Sequence, residues 1–315
     1  MARFILKRVL ILIPTLLAIV FIVFVIMNIT PSNPAQVMLG PKATQEAVDQ
    51  LNHELGIDLP LPVRYVSYIV NLIQGDMGIS YTTGRAVFQE IISRFPITVR
   101  LAAGAILLAV LIGVPLGIVA AVRQYSFIDI AGTSFAMFMA SMPGFWLGLM
   151  LILVFAFKLS LLPSFGNDSW VNYILPSFTL AMPVSASILR LTRTTMLESI
   201  RQDFVRTARS KGQKERTVVF RHALRNALLP IVTVVGMEFG WLLGGAVVIE
   251  QVFSINGVGK LIIESIRMKD VPQVTGCALF LAFFFMLVML MIDLLYAYID
   301  PRIRDRYRRT ASQKG

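Results

Sequence analysis

Six apolar segments, each of about 18 to 30 residues, dominate this chain of 315 residues. About 20 apolar residues in a helix are enough to cross the hydrocarbon core of a bilayer. Hydrophobic residues make up 56% of the chain and charged residues only 15%, which is typical of membrane proteins that cross the bilayer several times. Because only helices and closed barrels satisfy their backbone hydrogen bonds in lipid, the pattern predicts an all-α polytopic membrane protein with six transmembrane helices.

The predicted spans cover residues 9–27, 97–122, 128–157, 174–191, 229–249 and 276–299. The first span continues for the full width of a bilayer and is followed by no small-residue cleavage pattern, so we interpret it as an uncleaved helix rather than a signal peptide. The third is too long for one straight crossing and contains Pro143. We therefore expect a first helix, a break at Pro143, and then the helix that crosses.

The distribution of positive charge predicts the orientation of the chain. Residues 190–228 hold ten Lys and Arg against three Asp and Glu. Cytoplasmic loops carry an excess of Lys and Arg, so this stretch and both termini are expected on the cytoplasmic side. That topology assigns 20 of the 29 Lys and Arg residues to inner segments. It also accounts for the net charge of +11, so nucleic-acid binding is not expected.

The predicted spans and loops divide the chain into four parts. Residues 1–28 form an N-terminal transmembrane helix, and residues 29–95 form an extracytoplasmic segment with short helices. Residues 96–300 form a five-helix core that includes the cytoplasmic loop 190–228. Residues 301–315 form a basic cytoplasmic tail.

The basic loop has the pattern of a short helix that docks on another protein. Asp203 favours a helix start and Gly212 a helix stop. Phe204, Ala208 and Gly212 fall four residues apart, which predicts a shared face with little side-chain bulk at its C-terminal end. Such a face suits a groove on a partner protein. The alternative is a loop that lies on anionic lipid headgroups.

Charged residues surround that face. Arg206, Arg209 and Lys211 occupy the other sides of the predicted helix. A second helix is expected at residues 214–228, returning to the membrane. If the small face docks on a partner, a bulky residue at Ala208 or Gly212 should abolish the function that depends on this contact while the protein still inserts in the membrane.

Several residues inside the spans are candidates for a translocation pathway or gate. Glu238 is an ionisable residue at membrane depth, which either lines the pathway or bonds to a neighbouring helix. Gly240 and Gly244 belong to a glycine ladder that predicts close helix packing, at a seam that could also move. Ser141 and Pro143 mark the break in the third span, which is either part of a gate or a simple kink.

Two further features predict helix packing rather than chemistry. Gly113 and Gly117 form a small-xxx-small pair, which lets a neighbouring helix approach closely in lipid. Asp293 lies near the inner end of the last span, and we expect it to pair with a basic residue such as Arg190 or Arg193.

No catalytic or metal-binding motif is present. The chain has one cysteine and two histidines, which excludes a disulfide or a zinc cluster within it. The run from Gly257 to Lys260 lacks the spacing of a phosphate-binding loop. We therefore expect no enzymatic activity and no cofactor in this chain.

The loop resembles the cytoplasmic loop of permeases of ATP-binding cassette (ABC) importers. The general permease pattern is Glu-Ala-Ala, three residues, then Gly, of which Ala208 and Gly212 match. Arg206 and Thr207 replace the Glu and first Ala, as in the dipeptide/oligopeptide/nickel branch. Further stretches similar to that branch are Leu55-Gly56-Ile57-Asp58, Gly75-Asp76-Met77-Gly78, Arg94-Phe95-Pro96-Ile97-Thr98, Arg221-His222-Ala223-Leu224-Arg225-Asn226-Ala227 and Asp300-Pro301-Arg302. One departure is Pro31-Ser32-Asn33-Pro34, where the branch has Pro-Gly-Asp-Pro.

The resemblance implies the transmembrane domain of a type I ABC importer, in a bacterial or archaeal plasma membrane. It implies a second, homologous permease, two cytoplasmic ATPases that bind ATP and Mg, and an extracytoplasmic binding protein. Arg206, Thr207, Ala208, Lys211 and Gly212 would then form the coupling helix that meets an ATPase. Di- or oligopeptides are the expected substrates, with nickel, metal chelates or glutathione as alternatives. A secondary transporter that works alone is a remote alternative, since no internal repeat is evident.

Overall fold

The computed structural model describes residues 2–29 and 33–299, and their regular structure is helical. The α-helices are α1 (Ala2–Ile29), α2 (Pro34–Leu39), α3 (Gln45–Glu54), α4 (Leu61–Ile73), α5 (Val87–Val122), α6 (Phe127–Ser141), α7 (Gly144–Leu151), α8 (Ile174–Ile200), α9 (Asp203–Ser210), α10 (Glu215–Thr217), α11 (Leu224–Gly245), α12 (Val247–Val252), α13 (Val258–Arg267) and α14 (Val271–Ile299). Two π-helical stretches, Ile152–Lys158 and Val218–Ala223, extend α7 and join α10 to α11. Pro31 and Ser32, which belong to the stretch that departs from the branch pattern, and residues 300–315, which include the basic tail, lie outside the described residues.

Five of these helices are long and apolar enough to cross a membrane, and one bent pair makes a sixth span. The five are Leu10–Ile29, Val87–Val122, Trp170–Ile200, Glu215–Gly244 and Val271–Leu295. The bent pair is Phe127–Ser141 with Gly144–Lys158. The prediction of an all-α polytopic membrane protein is confirmed.

The predicted break in the third span is confirmed, and it is sharp. The helix axis turns by 99° between α6 and the helix that follows. Met142 leaves the helical conformation with φ −78° and ψ 132°, and Pro143 follows it with ψ 128°. A residue before proline is disfavoured in the helical conformation, which explains why the helix ends there.

Three helices extend beyond the spans predicted from hydropathy. α5 begins at Val87 rather than at residue 97, and α8 continues to Ile200 rather than ending at 191. The boundary expected at residue 229 is wrong, because one helical segment runs from Glu215 to Gly244 through Pro230. Hydropathy predicts only the part of a helix that lies in the hydrocarbon core. The helix itself continues as far as its backbone and packing allow.

One compact unit comprises Met1–Val99 and Ser254–Met286. It contains the expected short helices α2, α3 and α4, together with α1 and α13. Asp270 is buried within it and caps the start of α14 by accepting from the backbone N–H of Gln273. The same carboxylate accepts from the Ser80 hydroxyl (2.5 Å) and from the Thr82 N–H (3.1 Å), so it also holds the turn before α5.

The second unit comprises Arg100–Phe253 and Leu287–Gly315, described here as far as residue 299. α8 is its central helix and packs against α6, α7 and α11. More than half of α8 is buried, a larger share than in the other long candidate spans. Another glycine of α11, Gly236, faces α14, where an added Cβ would lie 2.6 Å from the Ile292 side chain.

The small-residue pair on α5 is confirmed as a close helix contact. A Cβ added at Gly113 would lie 2.7 Å from the Ser185 carbonyl oxygen of α8. At Gly117 it would lie 2.6 Å from the Thr192 Cβ and 2.8 Å from the Leu189 carbonyl oxygen. No real Cβ fits at these distances, so both positions require glycine for α5 and α8 to approach as they do.

Gly117→Ala is therefore expected to destabilise the protein by about 1 to 3 kcal/mol, the usual cost of forcing extra volume into a packed contact. Gly132→Ala on α6 is the matched control, because its Cβ would meet nothing within 4 Å. The control should be neutral or stabilising by up to about 1 kcal/mol, since alanine favours helix. Unfolding of the detergent-solubilised variants, followed by tryptophan fluorescence, distinguishes the two. Equal changes in the two variants would contradict the close contact.

Candidate functional site

The short helix predicted in the basic loop is present as α9 and has the predicted limits. Gln202 is its N-cap, with extended backbone angles, and Asp203 is in its first turn. A carboxylate there stabilises the positive end of the helix. The loop expected at 190–228 is nevertheless mostly helical, because α8 reaches Ile200 and the next helix begins at Glu215.

Gly212 ends α9 in the way that its position predicts. Its φ is +74°, in the left-handed region that favours glycine. The Gly212 N–H donates to the Arg209 carbonyl (2.9 Å), and the Gln213 N–H donates to the Ala208 carbonyl (3.3 Å). These two bonds form a Schellman motif, which satisfies carbonyls left free at a helix end.

The docking face inferred from Ala208 is wrong, because Ala208 points into the chain's own core. Ala208 is only 6% exposed and Val205 is fully buried. Both belong to one apolar cluster with residues from α5, α8 and the helix that starts at Glu215. The other members are Ile118, Ala121, Met196, Val218, Val219, Ala223, Ala227 and Ile231.

This cluster fixes α9 to three membrane helices at once. α5 contributes its last turn, α8 contributes Met196 near its end, and the helix from Glu215 contributes its first turns. Apolar contacts between densely packed side chains resist relative displacement. α9 is therefore held against the ends of all three helices.

The exposed side of α9 carries the other predicted coupling residues. Arg206, Thr207, Lys211 and Gly212 are all exposed, as is Phe204 at 42%. A Cβ at Gly212 would meet nothing within 4 Å, so its surroundings are open. The outer face is thus a half-exposed phenyl ring beside two cationic side chains, which is suited to contact with a protein surface.

Two polar contacts fix the turn after α9. The Arg209 guanidinium donates to both carboxylate oxygens of Glu215, at 2.6 and 3.1 Å. The His222 Nε2 lies 2.7 Å from the Gln213 Oε1. Arg209 is therefore engaged within the chain, which leaves Arg206 and Lys211 as the cations of the outer face.

An ion pair that the sequence analysis missed joins α6 to α8. The Arg193 Nε and Nη2 donate to the two carboxylate oxygens of Asp129, at 2.6 and 2.8 Å. The Asp129 side chain is 3% exposed and also accepts from the Tyr125 N–H (2.9 Å). The Arg193 guanidinium is therefore engaged by Asp129, and the pairing of Asp293 with a basic residue such as Arg190 or Arg193 stays a prediction.

Glu238 lines a cavity between α8 and α11. The cavity has a volume of about 170 Å³ and is lined by Leu180, Pro183, Val184, Glu238, Trp241 and Leu242. An ionisable side chain on a cavity wall inside a membrane protein is typical of a transport path. Its role in transport stays a prediction.

The other pathway candidates lie apart from that cavity lining. Ser141 is exposed, and its hydroxyl donates to the Met137 carbonyl at 2.8 Å. Pro143 is exposed at the break. Gly240 is buried in α11, whereas a Cβ at Gly244 would meet nothing within 4 Å. The structure thus groups Glu238 with apolar residues rather than with the other four candidates.

Comparison with protein families gives two adjoining matches that together cover nearly the whole chain. Residues 113–305 match the model described as "Binding-protein-dependent transport system inner membrane component". Residues 1–102 match the model described as "Binding-prot-dependent transport system membrane comp, N-term".

Curated relatives show similarity over the same length. The glutathione transport system permease protein GsiC of Salmonella typhimurium is 41% identical over 304 residues, which cover 96% of this chain and 99% of that protein. The GsiC proteins of Escherichia coli K12 and Pectobacterium atrosepticum are 41% and 40% identical over the same coverage.

Solved structures share the fold at low sequence identity. The inward-facing MetNI methionine ABC transporter aligns with a TM-score of 0.58 at 16% identity, covering 67% of this chain and 97% of that one. An amino acid ABC transporter with histidines aligns with a TM-score of 0.51 at 17% identity, covering 68% and 94%. The helical architecture is thus that of a type I ABC importer transmembrane domain, and the chain belongs to the family of inner membrane permease components of binding-protein-dependent transport systems.

Proposed function

We propose that this permease is driven through the outer face of α9 by a cytoplasmic ATPase. The observation that carries the proposal is the packing of α9. Its inner face is fixed to the ends of α5, α8 and the helix from Glu215, while its outer face presents Phe204, Arg206, Thr207 and Lys211 to the surroundings. That arrangement is what a force-transmitting contact requires.

In this mechanism the chain itself hydrolyses nothing. Two partner ATPases bind ATP and Mg, and their closure displaces α9. The apolar cluster carries the displacement into the membrane helices, which alternate between outward and inward access. Residues 190–228 and both termini face the cytoplasm in this topology, in agreement with the excess of Lys and Arg there.

The proposed complex contains further chains. A homologous permease completes the translocation path as a heterodimer, and a binding protein delivers substrate on the extracytoplasmic side. In this scheme Ser141, Pro143, Gly240 and Gly244 belong to the moving parts of the path. Glu238 lies on its wall, where its carboxylate suits a substrate amine.

The proposed substrate is glutathione or a peptide of similar size. Support comes from the relatives at 40–41% identity, which carry the name glutathione transport permease. Glutathione is itself a tripeptide, so this substrate falls within the peptide class that the sequence indicates. Uptake of labelled glutathione, a labelled dipeptide and Ni²⁺, measured in cells with and without the permease, tests the choice. Permease-dependent uptake of Ni²⁺ alone would contradict it.

Charge reversal on the outer face tests the coupling. The double variant Arg206→Glu/Lys211→Glu is expected to lower uptake about tenfold, because two favourable surface contacts of up to about 1 kcal/mol each become repulsive. Membrane insertion and thermal stability should not change, since both side chains are exposed.

The matched control is Arg216→Glu, which reverses an exposed charge beyond the end of α9. It should leave uptake within about twofold of wild type, as expected for a surface substitution outside the contact. Unchanged uptake in the double variant would contradict the ATPase contact at this face.

A further inference from the structure

Two cavities of opposite character lie within the unit formed by Met1–Val99 and Ser254–Met286. The first has a volume of about 210 Å³ and a mixed polar and apolar lining. The second has a volume of about 540 Å³ and an entirely apolar lining. The described site on α9 uses neither of them.

The polar cavity carries one cation and no carboxylate. Its lining residues are Phe24, Leu55, Gly56, Leu59, Arg64, Ser67, Tyr68, Asn71, Tyr81, Val271, Pro272 and Thr275. The Arg64 guanidinium lies 5.8 Å from the centre of the Phe24 ring, and no ion pair with a carboxylate is found for it among the described residues. The nearby Asp270 is satisfied by Ser80, Thr82 and Gln273 and does not line the cavity.

Two hydroxyl groups of this cavity have no hydrogen-bond partner. Thr275 is fully buried, and its Oγ1 is unpaired. The Tyr68 hydroxyl is also buried and unpaired. Burial raises the pKa of Tyr68, so its phenol stays protonated and available as a donor. Buried polar groups without partners are rare in folded proteins, and two of them on the lining of a cavity that also carries one cation favour a bound anion as their acceptor.

The apolar cavity continues along the same helices. On α1 it is lined by Ile13, Leu16, Leu17 and Val20, and Phe24 of the polar cavity follows Val20 on the same helix face. On α14 the polar cavity is lined by Pro272 and Thr275, and the apolar cavity by Leu279, Phe280, Phe283 and Phe284. Spacings of three and four residues place each set on one helix face. The two cavities therefore form one seam between α1 and α14.

The seam has about the length of a lipid in one leaflet. Like a lipid, it is polar at one end, near Phe24, and apolar along the rest. From Phe24 to Ile13 the distance along α1 is about 16 Å at 1.5 Å per residue. One leaflet contributes about 15 Å to the hydrocarbon core. The polar cavity lies where α1 approaches its end at Ile29 and α14 begins at Val271. Aromatic residues such as Tyr65, Tyr68 and Tyr81 surround this level, as is common at headgroup depth.

We propose that this seam binds one phospholipid, with its phosphate on Arg64, Tyr68 and Thr275 and an acyl chain in the apolar cavity between α1 and α14. An arginine is the side chain best suited to a phosphodiester, which it can bind in a bidentate manner. The site requires only that the chain lies in a membrane, and it does not depend on the transport proposal.

Native mass spectrometry of the full chain, purified from bacterial membranes in a mild detergent, tests the headgroup contact. Wild type is expected to retain one phospholipid. Arg64→Gln should lower its retention at least about tenfold, the effect of one charge-assisted hydrogen bond. The control Arg85→Gln removes an exposed arginine of the same segment and should retain the lipid as wild type does. Equal retention by wild type and Arg64→Gln would overturn the proposal.

Thr275→Val separates lipid binding from folding. The Thr275 hydroxyl has no protein partner, so valine should not lower the stability of the delipidated protein. It should still reduce lipid retention. If Thr275→Val and wild type retain the same amount of lipid, the orphan hydroxyl is not part of a headgroup site and the assignment fails.

The acyl chain and the source of the phosphate are tested separately. Leu17→Trp narrows the apolar cavity and should reduce retention, whereas Leu10→Trp, exposed on the same helix outside the lining, should not. Dioleoyl phosphatidylglycerol should raise the melting temperature of delipidated wild type more than that of Arg64→Gln. Equal protection of wild type by millimolar inorganic phosphate alone would show a site for the free anion and overturn the lipid assignment.

Discussion

Asp129→Ala is expected to lower the free energy of unfolding of the purified permease by about 3 kcal/mol. The substitution leaves the Arg193 guanidinium without its two charge-assisted bonds in a site where the Asp129 side chain is 3% exposed. Removing one partner of a buried ion pair typically costs 3 to 5 kcal/mol, and because Arg193 is itself 25% exposed we take the lower end. The Tyr125 N–H also loses its acceptor.

A double-mutant cycle shows whether the pair or the cavity causes the loss. Asp129→Leu with Arg193→Met removes both charges, so the double variant should be less destabilised than Asp129→Leu alone. Denaturant or thermal unfolding in detergent gives the four free energies. A loss below about 1 kcal/mol for Asp129→Ala would be the size of a surface pair and would contradict the buried geometry.

The same substitution at two adjacent residues of α9 should have two different effects. At Ala208 it should lower stability, and at Thr207 it should lower uptake. Ala208→Phe inserts a ring into the apolar cluster with Val205 and Met196, and overpacking of this kind costs about 1 to 3 kcal/mol or more. Thr207→Phe places the same ring on the exposed face, where its effect on stability should be below about 0.5 kcal/mol. Under the proposed coupling, Thr207→Phe should nevertheless reduce uptake at least about tenfold, because one misfitting side chain at a tight contact costs 1.4 kcal/mol or more.

Two measurements on each variant distinguish these outcomes. Thermal unfolding of the purified protein gives the stability, and uptake of labelled substrate normalised to the amount of membrane-inserted permease gives the function. The sequence alone led us to expect insertion without transport for a bulky residue at position 208. Because Ala208 is buried and Thr207 is exposed, insertion without transport is now expected for a bulky residue at position 207. A stable Ala208→Phe variant would contradict the observed orientation of α9, and normal uptake in Thr207→Phe would contradict the proposed coupling.

Local chemistry made parts of this molecule predictable. The break at Pro143 follows from the missing N–H of proline and its restriction on Met142. The end of α9 at Gly212 follows from the left-handed conformation that a Schellman motif requires. The close approach at Gly117 follows from the absence of a side chain. In each case a few neighbouring residues determine the structure.

The parts that sequence reasoning missed depend on distant contacts. Asp129 and Arg193 are 64 positions apart, and nothing near either residue identifies the other. The face of α9 was ambiguous because Ala208 shares a helix face with Phe204 and also with Val205. Only the cluster from α5, α8 and the helix from Glu215 determines that Val205 is the buried one.

The unbroken helix from Glu215 to Gly244 has a mechanical consequence. Its length is about 45 Å at 1.5 Å per residue, and Glu238 lies about 35 Å from its first residue, Glu215. Tilting such a rod by about 5° about one end moves the other by about 4 Å, more than the diameter of a water molecule. The π-helical stretch Val218–Ala223 and Pro230 are the points where the rod would bend, since sharp kinks occur at such sites. The stiffness of the helix at these two points therefore sets how much of any displacement at Glu215 reaches Glu238.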